Sequence, residues 1–289
     1  TGGALVDGSS IIEFETPDVD ENVELELKVS ASSQSSDSFN ELSLSKTINL
    51  TIKANGEVVI SGAVVDDPIP LALITISVGE QNIETVADAN GQYSVEVEFP
   101  DPEAIVQISA IGAPNSEFAA VEFKSYLGSG ETLIQSAGVD GVVTSDESIN
   151  VNVSNVTTAI YVLAQEIIKE QLQDEQGSGV VTSQEELEQV LEQVDTNQAL
   201  ELAAVIQLVV DYGADLLEDT NTVLELAEAL VDDSEATQDF IADSIEQIVA
   251  EDDTITDLKF DQVIEGITAD ENLVPTKSQS EFVDTFFAT

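Results

Sequence analysis

The sequence predicts a multi-domain α+β chain in which β-sandwich modules precede an all-α helical bundle. Three observations carry this expectation. Apolar residues recur with period two through the first half of the chain and with helical period after about residue 150. The period-two runs are short, and clusters of Gly, Pro, Asn and Asp separate them. The predicted order is a partial β module at 1–54, a β-sandwich at 55–125, a linker at 126–150 and an α-helical domain at 151–289.

The elements follow in order. Ile11 to Glu15 reads as a short strand. Asn22 to Ser30 places Val23, Leu25, Leu27 and Val29 on one face, with Glu24, Glu26 and Lys28 on the other. A serine-rich loop at Ser30 to Asn40 leads to a second alternating run, Leu42 to Lys53. Further strands are predicted at Val58–Val65, Leu71–Ser77, Gln92–Glu98 and Ile105–Ile111, separated by Asp66-Asp67-Pro68, Asp88-Ala89-Asn90-Gly91 and Pro100-Asp101-Pro102. Val156, Ile160, Leu163 and Ile167 then begin a helical stripe. Helices follow at about 183–194, 196–212, 220–232, 235–251 and 257–267, with a short one near 280–288. Ser183 with Glu186 has capping-box spacing, and Asp195/Thr196, Thr220 and Ser234 are further start signals. Ala199 to Val210 holds only Glu201 and Gln207 as polar members, which predicts a central buried helix.

Composition restricts the chemistry. The 289 residues carry 58 Asp and Glu against 7 lysines, a formal net charge of -51, with no Arg, His, Cys, Met or Trp. Catalytic triads, thiol nucleophiles and the usual zinc and copper sites need residues that are missing. Bidentate arginine clamps are missing too. A surface of this charge repels polyanions, so no nucleic-acid partner is expected. The longest apolar run, Leu202 to Val210, is too short for a membrane span. The chain begins at Thr1 rather than Met, which predicts a mature or trimmed product. Self-repulsion on this scale calls for screening in a salty external medium, or for bound calcium.

Two stretches resemble known families. Ser61-Gly62-Ala63-Val64-Val65-Asp66, Pro68-Ile69, Ala72 to Val78, and Thr85 to Ser94 with its Asp88-Ala89-Asn90-Gly91 turn make residues 56–112 similar to the carboxypeptidase-regulatory-like family of small Ig-like sandwiches. That resemblance implies a spacer or binding accessory. Phe14-Glu15-Thr16-Pro17-Asp18-Val19, the run Val23 to Val29 and the run Leu42 to Ile52 resemble the second half of a PKD- or cadherin-like repeat. The opening half of such a repeat is missing, and about three strands cannot close a sandwich. The junction Asn150 to Ala159 resembles helical regions that follow Ig-like modules in secreted marine-bacterial surface proteins. No activity comes with that likeness.

One segment has the spacing of a metal loop. Asp174, Gln176, Ser178, Thr182 and Glu185 fall on the liganding positions of an EF-hand-like twelve-residue loop, with Gly179 at its turn. The alternative is a plain helix–loop–helix connection in which Thr182 or Ser183 caps a helix. Gly141 to Glu147 repeats the second part of this loop. The acidic pairs Asp66/Asp67, Asp232/Asp233 and Asp252/Asp253 read as turns and caps rather than as a glycosidase pair. Lys169 and Lys259 read as helix-surface ion-pair partners, and Tyr93, Tyr161 and Tyr212 as packing at core edges.

The expectation is therefore a non-enzymatic extracellular structural subunit. It requires no cofactor, calcium is the one its carboxylates would suit, and it self-associates through residues 1–54 by strand complementation into a filament or surface layer. The alternative is an adhesion segment of a long modular cell-surface protein, stiffened by calcium.

Overall fold

The computed structural model describes residues 23–33, 42–52, 57–65, 68–138, 140–147, 151–173, 181–217, 220–251, 255 and 258–269. The chain divides between Asn55 and Gly56 into two compact units. The strand expected at Ile11–Glu15 and the helix expected near 280–288 lie outside the described residues.

In the first unit, β1 (Val23–Ser33) pairs antiparallel with β2 (Leu42–Ile52). Both strands are longer than most, at 11 residues each. The register sets Val23 against Ile52, Leu25 against Leu50 and Leu27 against Ile48. Glu24, Glu26 and Lys28 alternate with them along β1, and Lys46 pairs with Val29 in the same register row.

The second unit begins with β3 (Glu57–Ala63), β4 (Leu73–Val78) and β5 (Gln81–Val86). β6 (Gln92–Glu98), β7 (Ile105–Ile111) and β8 (Glu122–Ser129) follow. A helix α1 (Gly130–Ser136) then leads to the two-residue strand β9 (Val142–Val143). One sheet has the order β6-β3-β9 and the other β5-β4-β7-β8. Alternation decides which side chains are enclosed. Val58 and Ile60 of β3, Ile74, Ile76 and Val78 of β4, and Val106, Ile108 and Ala110 of β7 are buried and belong to one apolar core. Each such Ile or Val contributes roughly 1.5–3 kcal/mol by leaving water.

The α half consists of α2 (Asn155–Gln173), α3 (Gln184–Leu191), α4 (Thr196–Tyr212), α5 (Val223–Leu230), α6 (Ser234–Glu251) and α7 (Phe260–Ala269). α4 packs against α2, α5, α6 and α7. Eight of its residues, from Ala199 to Val209, are buried, which matches its nearly unbroken apolar sequence. The class is mixed α and β.

Residues 126–138 and 140–147, expected as part of a linker, include packed elements. β8 runs through Ser129, whose Oγ accepts from the Thr132 N–H and caps α1. Leu133 and Ala137 are buried, and β9 pairs parallel with β3. Nor do sheets and helices form separate bodies, because 56–289 is one compact unit. The segment Val151–Thr158 shows why. The Val153 N–H donates to the Ala63 C=O at 2.9 Å, and its own C=O accepts from Val65 at 3.0 Å. Asn152 Oδ1 accepts from the Ala63 N–H. Tyr93 Oη donates to the Val151 C=O at 2.5 Å. Thr158 Oγ1 accepts from the Lys124 N–H of β8, and Asn155 Nδ2 donates to Gln207 Oε1 of α4 at 2.7 Å. Asn155 and Thr158 are buried, so their polar side chains need such partners. Eight residues thus tie three strands to two helices. Gly62 is required beside them, since a Cβ there would lie 2.2 Å from the Val151 oxygen.

Candidate functional site

Of the five residues predicted to hold a metal, Asp174, Gln176 and Ser178 lie outside the described residues. Thr182 and Glu185 stand at the start of α3 and have local partners. The Thr182 N–H and hydroxyl both donate to Glu186 Oε2 at 2.9 Å, while Ser183 Oγ accepts from the Glu186 N–H. This is the capping box, shifted by one residue at its carboxylate end. Glu185 Oε1 accepts from Gln189. Among the described residues no cluster of three or more acidic side chains is placed to hold a metal ion.

The same carboxylate clamp recurs. The Thr144 N–H and hydroxyl donate to Glu147 Oε2, and the Asn221 N–H and Nδ2 donate to Glu225 Oε2. Asp88 Oδ1 accepts from the Asn90 and Gln92 N–H groups in the Asn90-Gly91 turn. In each case donated hydrogen bonds hold the carboxyl below its ordinary range. Two ion pairs are formed by described residues on the helix and sheet surfaces, Lys169–Glu166 at 2.9 Å and Lys124–Glu122 at 3.7 Å. N–H groups at turns and helix starts therefore take over part of what lysines do elsewhere. The reverse case is Glu57, whose carboxyl is pushed up by a hydrogen bond and charge repulsion from Glu96. Glu201 is pushed up by burial and by Asp195.

The start signals are partly relocated. Asp195 caps α4 through the Gln198 N–H at 2.9 Å, as its position predicts. The cap of α5 is Thr222 rather than Thr220, and at α6 Asp233 accepts from the Ala236 N–H while Ser234 is already helical. Tyr93 and Tyr161 are buried, but Tyr212 is exposed.

A groove of about 640 Å³ lies between the β3–β6 ladder and the turn after β9. Ser61, Ser94, Thr144, Ser145, Gln92 and Asn152 supply its polar lining, and Asp88 is its single carboxylate. Asp88 is occupied by the turn, and Tyr93 is held by the Val151 carbonyl with its phenol raised by burial. The groove can offer hydrogen bonds from hydroxyls and amides to a neutral polar group. Ser61 and Ser94 are cross-strand partners that hydrogen-bond to each other at 2.8 Å, a pairing the sequence does not show because serines in strands read as solvated faces.

A second surface lies on the outer face of the four-stranded sheet. Leu73 pairs with Val86 on one side and Ile111 on the other. All three are exposed, and so is Leu71 beside them. Comparison of the chain with protein-family models, with curated proteins and with solved structures gives no match.

Proposed function

We propose that the chain is a non-enzymatic extracellular structural subunit that assembles by β-strand complementation into a filament or surface layer. The observation that carries this reading is the β1–β2 ribbon. It forms a unit apart, its register pairs Val23 with Ile52, Leu25 with Leu50 and Leu27 with Ile48, and no third strand joins it among the described residues. A two-stranded ribbon is marginal in water, and its open edges are templates for another strand. A neighbouring subunit supplies the missing strands, and head-to-tail use of such a joint yields an open polymer. The finer fold assignment belongs to the same proposal: an incomplete Ig-like module, an Ig-like sandwich of the two sheets, and a helical bundle around α4.

The charge of -51 sets the terms of assembly. Seven lysines are too few to join subunits by ion pairs, so backbone pairing and apolar burial must do it, in a saline medium or with bound cations such as calcium. Electron microscopy of the intact protein at high concentration, with and without calcium, tests this. Fibres or sheets are expected, and discrete monomers in both conditions sink the proposal. A chain lacking residues 1–54 should stay unassembled, and polymer from it would place the joint elsewhere.

The groove favours a second reading, an adhesion segment that binds neutral, hydroxyl-rich ligands. Binding of neutral glycans, abolished by filling the groove with Ser94→Trp, supports it.

A further inference from the structure

The proposed strand complementation, on which this inference rests, needs an acceptor as well as a donor. We infer that the acceptor is the outer edge of β5, and that the strand added there is β2 from a second copy of this chain.

The edges of the second unit differ in how they are protected. β8 lies against α2, and the Thr158 hydroxyl takes the Lys124 N–H at its edge. Tyr126 of β8 stacks on Tyr161 of α2 at 5.0 Å. The edge of β6 carries Glu96 and Glu98 beside Glu57, and the raised Glu57 carboxyl reflects like charges already crowded there. β5 carries one carboxylate, Glu84, and has no Lys, Pro or bulge. Those are the devices by which exposed edges are normally blunted.

The register shows which groups face outward. The Ala87 N–H donates to the Ala72 C=O at 2.9 Å, which makes Ala72 and Ala87 a hydrogen-bonded pair. Pairs alternate along an antiparallel ladder, so Ile74/Thr85 and Ile76/Ile83 are bonded likewise. The N–H and C=O groups of Asn82, Glu84 and Val86 therefore point away from β4. The apolar row Ile111–Leu73–Val86 ends at this edge. Leu71 extends it, 57 % exposed and at φ +58°, a backbone conformation that is unfavourable for leucine. A strained leucine held out in water beside an open edge makes sense as a surface that another chain covers.

Charge selects the occupant. β4, β5, β7 and β8 together hold two glutamates and one lysine, and β1 with β2 hold Glu24 and Glu26 against Lys28 and Lys46. These are the near-neutral parts of a chain at -51, the places where two copies can approach with least repulsion. Within the ribbon both glutamates lie on β1. β2 has no carboxylate, carries Lys46, and alternates Leu and Ile with Ser and Thr along much of its length. A positive strand thus meets the single negative charge of β5.

Full-length variants test this. Glu84→Pro removes an outward N–H and leaves the β4 ladder intact, a position where strand proline is tolerated. Val86→Lys adds a charge to the apolar row. Both should keep the wild-type melting curve and raise the concentration for half-assembly by about tenfold or more, equivalent to ~1.4 kcal/mol. A donor-defective chain, Leu50→Lys with Ile52→Lys, should also fail alone. Mixed with Glu84→Pro it should yield one-to-one dimers, since each supplies what the other lacks. If Glu84→Pro and Val86→Lys assemble like wild type, β5 is not the acceptor, although complementation by the ribbon survives. If the wild-type chain itself stays monomeric, both ideas fall.

Discussion

Replacing Tyr93 by Phe removes one oxygen atom and tests whether sheets and helices unfold together. The Tyr93 side chain is 5 % exposed and its hydroxyl donates to the carbonyl of Val151, a fully buried residue. The variant loses a net hydrogen bond of about 1 kcal/mol and leaves a buried carbonyl short of a partner, for about 2 kcal/mol in all. For a unit spanning 56–289 that is a fall of about 4–8 °C in melting temperature. The assay is thermal unfolding followed by circular dichroism at the helical minimum and by the β-sheet band of the infrared amide I spectrum. The infrared band reports the strands, whereas the dichroism reports mainly α2 to α7. Because Val151–Thr158 bonds both halves, the two signals should fall together and by the same shift. A shift in the sheet band with unchanged helical melting would show two independent domains and refute the reasoning.

Other outcomes follow from the same contacts. Gly91→Ala should destabilise the unit by about 2 kcal/mol or more in chemical denaturation, because Gly91 sits at φ +73° and an added Cβ would stand 2.8 Å from the Val64 oxygen. Asp195→Ala should lower stability by about 1 kcal/mol through loss of the cap on α4, and Asp195→Asn should recover most of it. Stability should pass through a maximum in mild acid. Glu57 and Glu201 are raised above 4.5, so the folded chain takes up their protons first and gains stability as pH falls from neutrality. Glu147, Glu186 and Glu225 lie below 4.5 and Asp88 below 3.8, so the folded state loses their stabilisation once pH drops below those values. Melting temperatures that fall steadily from pH 7 downward would contradict this.

Much of the fold is legible where one periodicity governs. Gln92–Glu98 and Ile105–Ile111 have the observed bounds because each buries one face and exposes the other. Thr196–Tyr212 is bounded by an Asp cap and a Gly stop. β5 escapes notice because an edge strand buries little, and its Asn82 and Glu84 resemble a turn. β8 escapes for the opposite reason. It packs against α2, α1 and α5 as well as β7, and every residue from Ser125 to Ser129 is buried, so the alternation disappears. The weld at Val151–Thr158 reads as a junction, since nothing local shows that Asn152, Thr158 and Tyr93 find distant partners. The metal spacing at 174–185 ends in Thr182 and Glu185, residues equally suited to starting a helix, and the contacts they make are those of a helix start. The exposed row Leu71, Leu73, Val86, Ile111 needs the strand register before its members become neighbours.

The central claim is that this acidic chain joins copies of itself through unpaired strand edges. Sedimentation velocity of the intact chain tests it most directly, over a concentration series at low and at high salt. Growth beyond the 30.7 kDa subunit into an open series of sizes, stronger at high ionic strength where the -51 is screened, is the predicted result. A single species of subunit mass at every concentration and salt would contradict it.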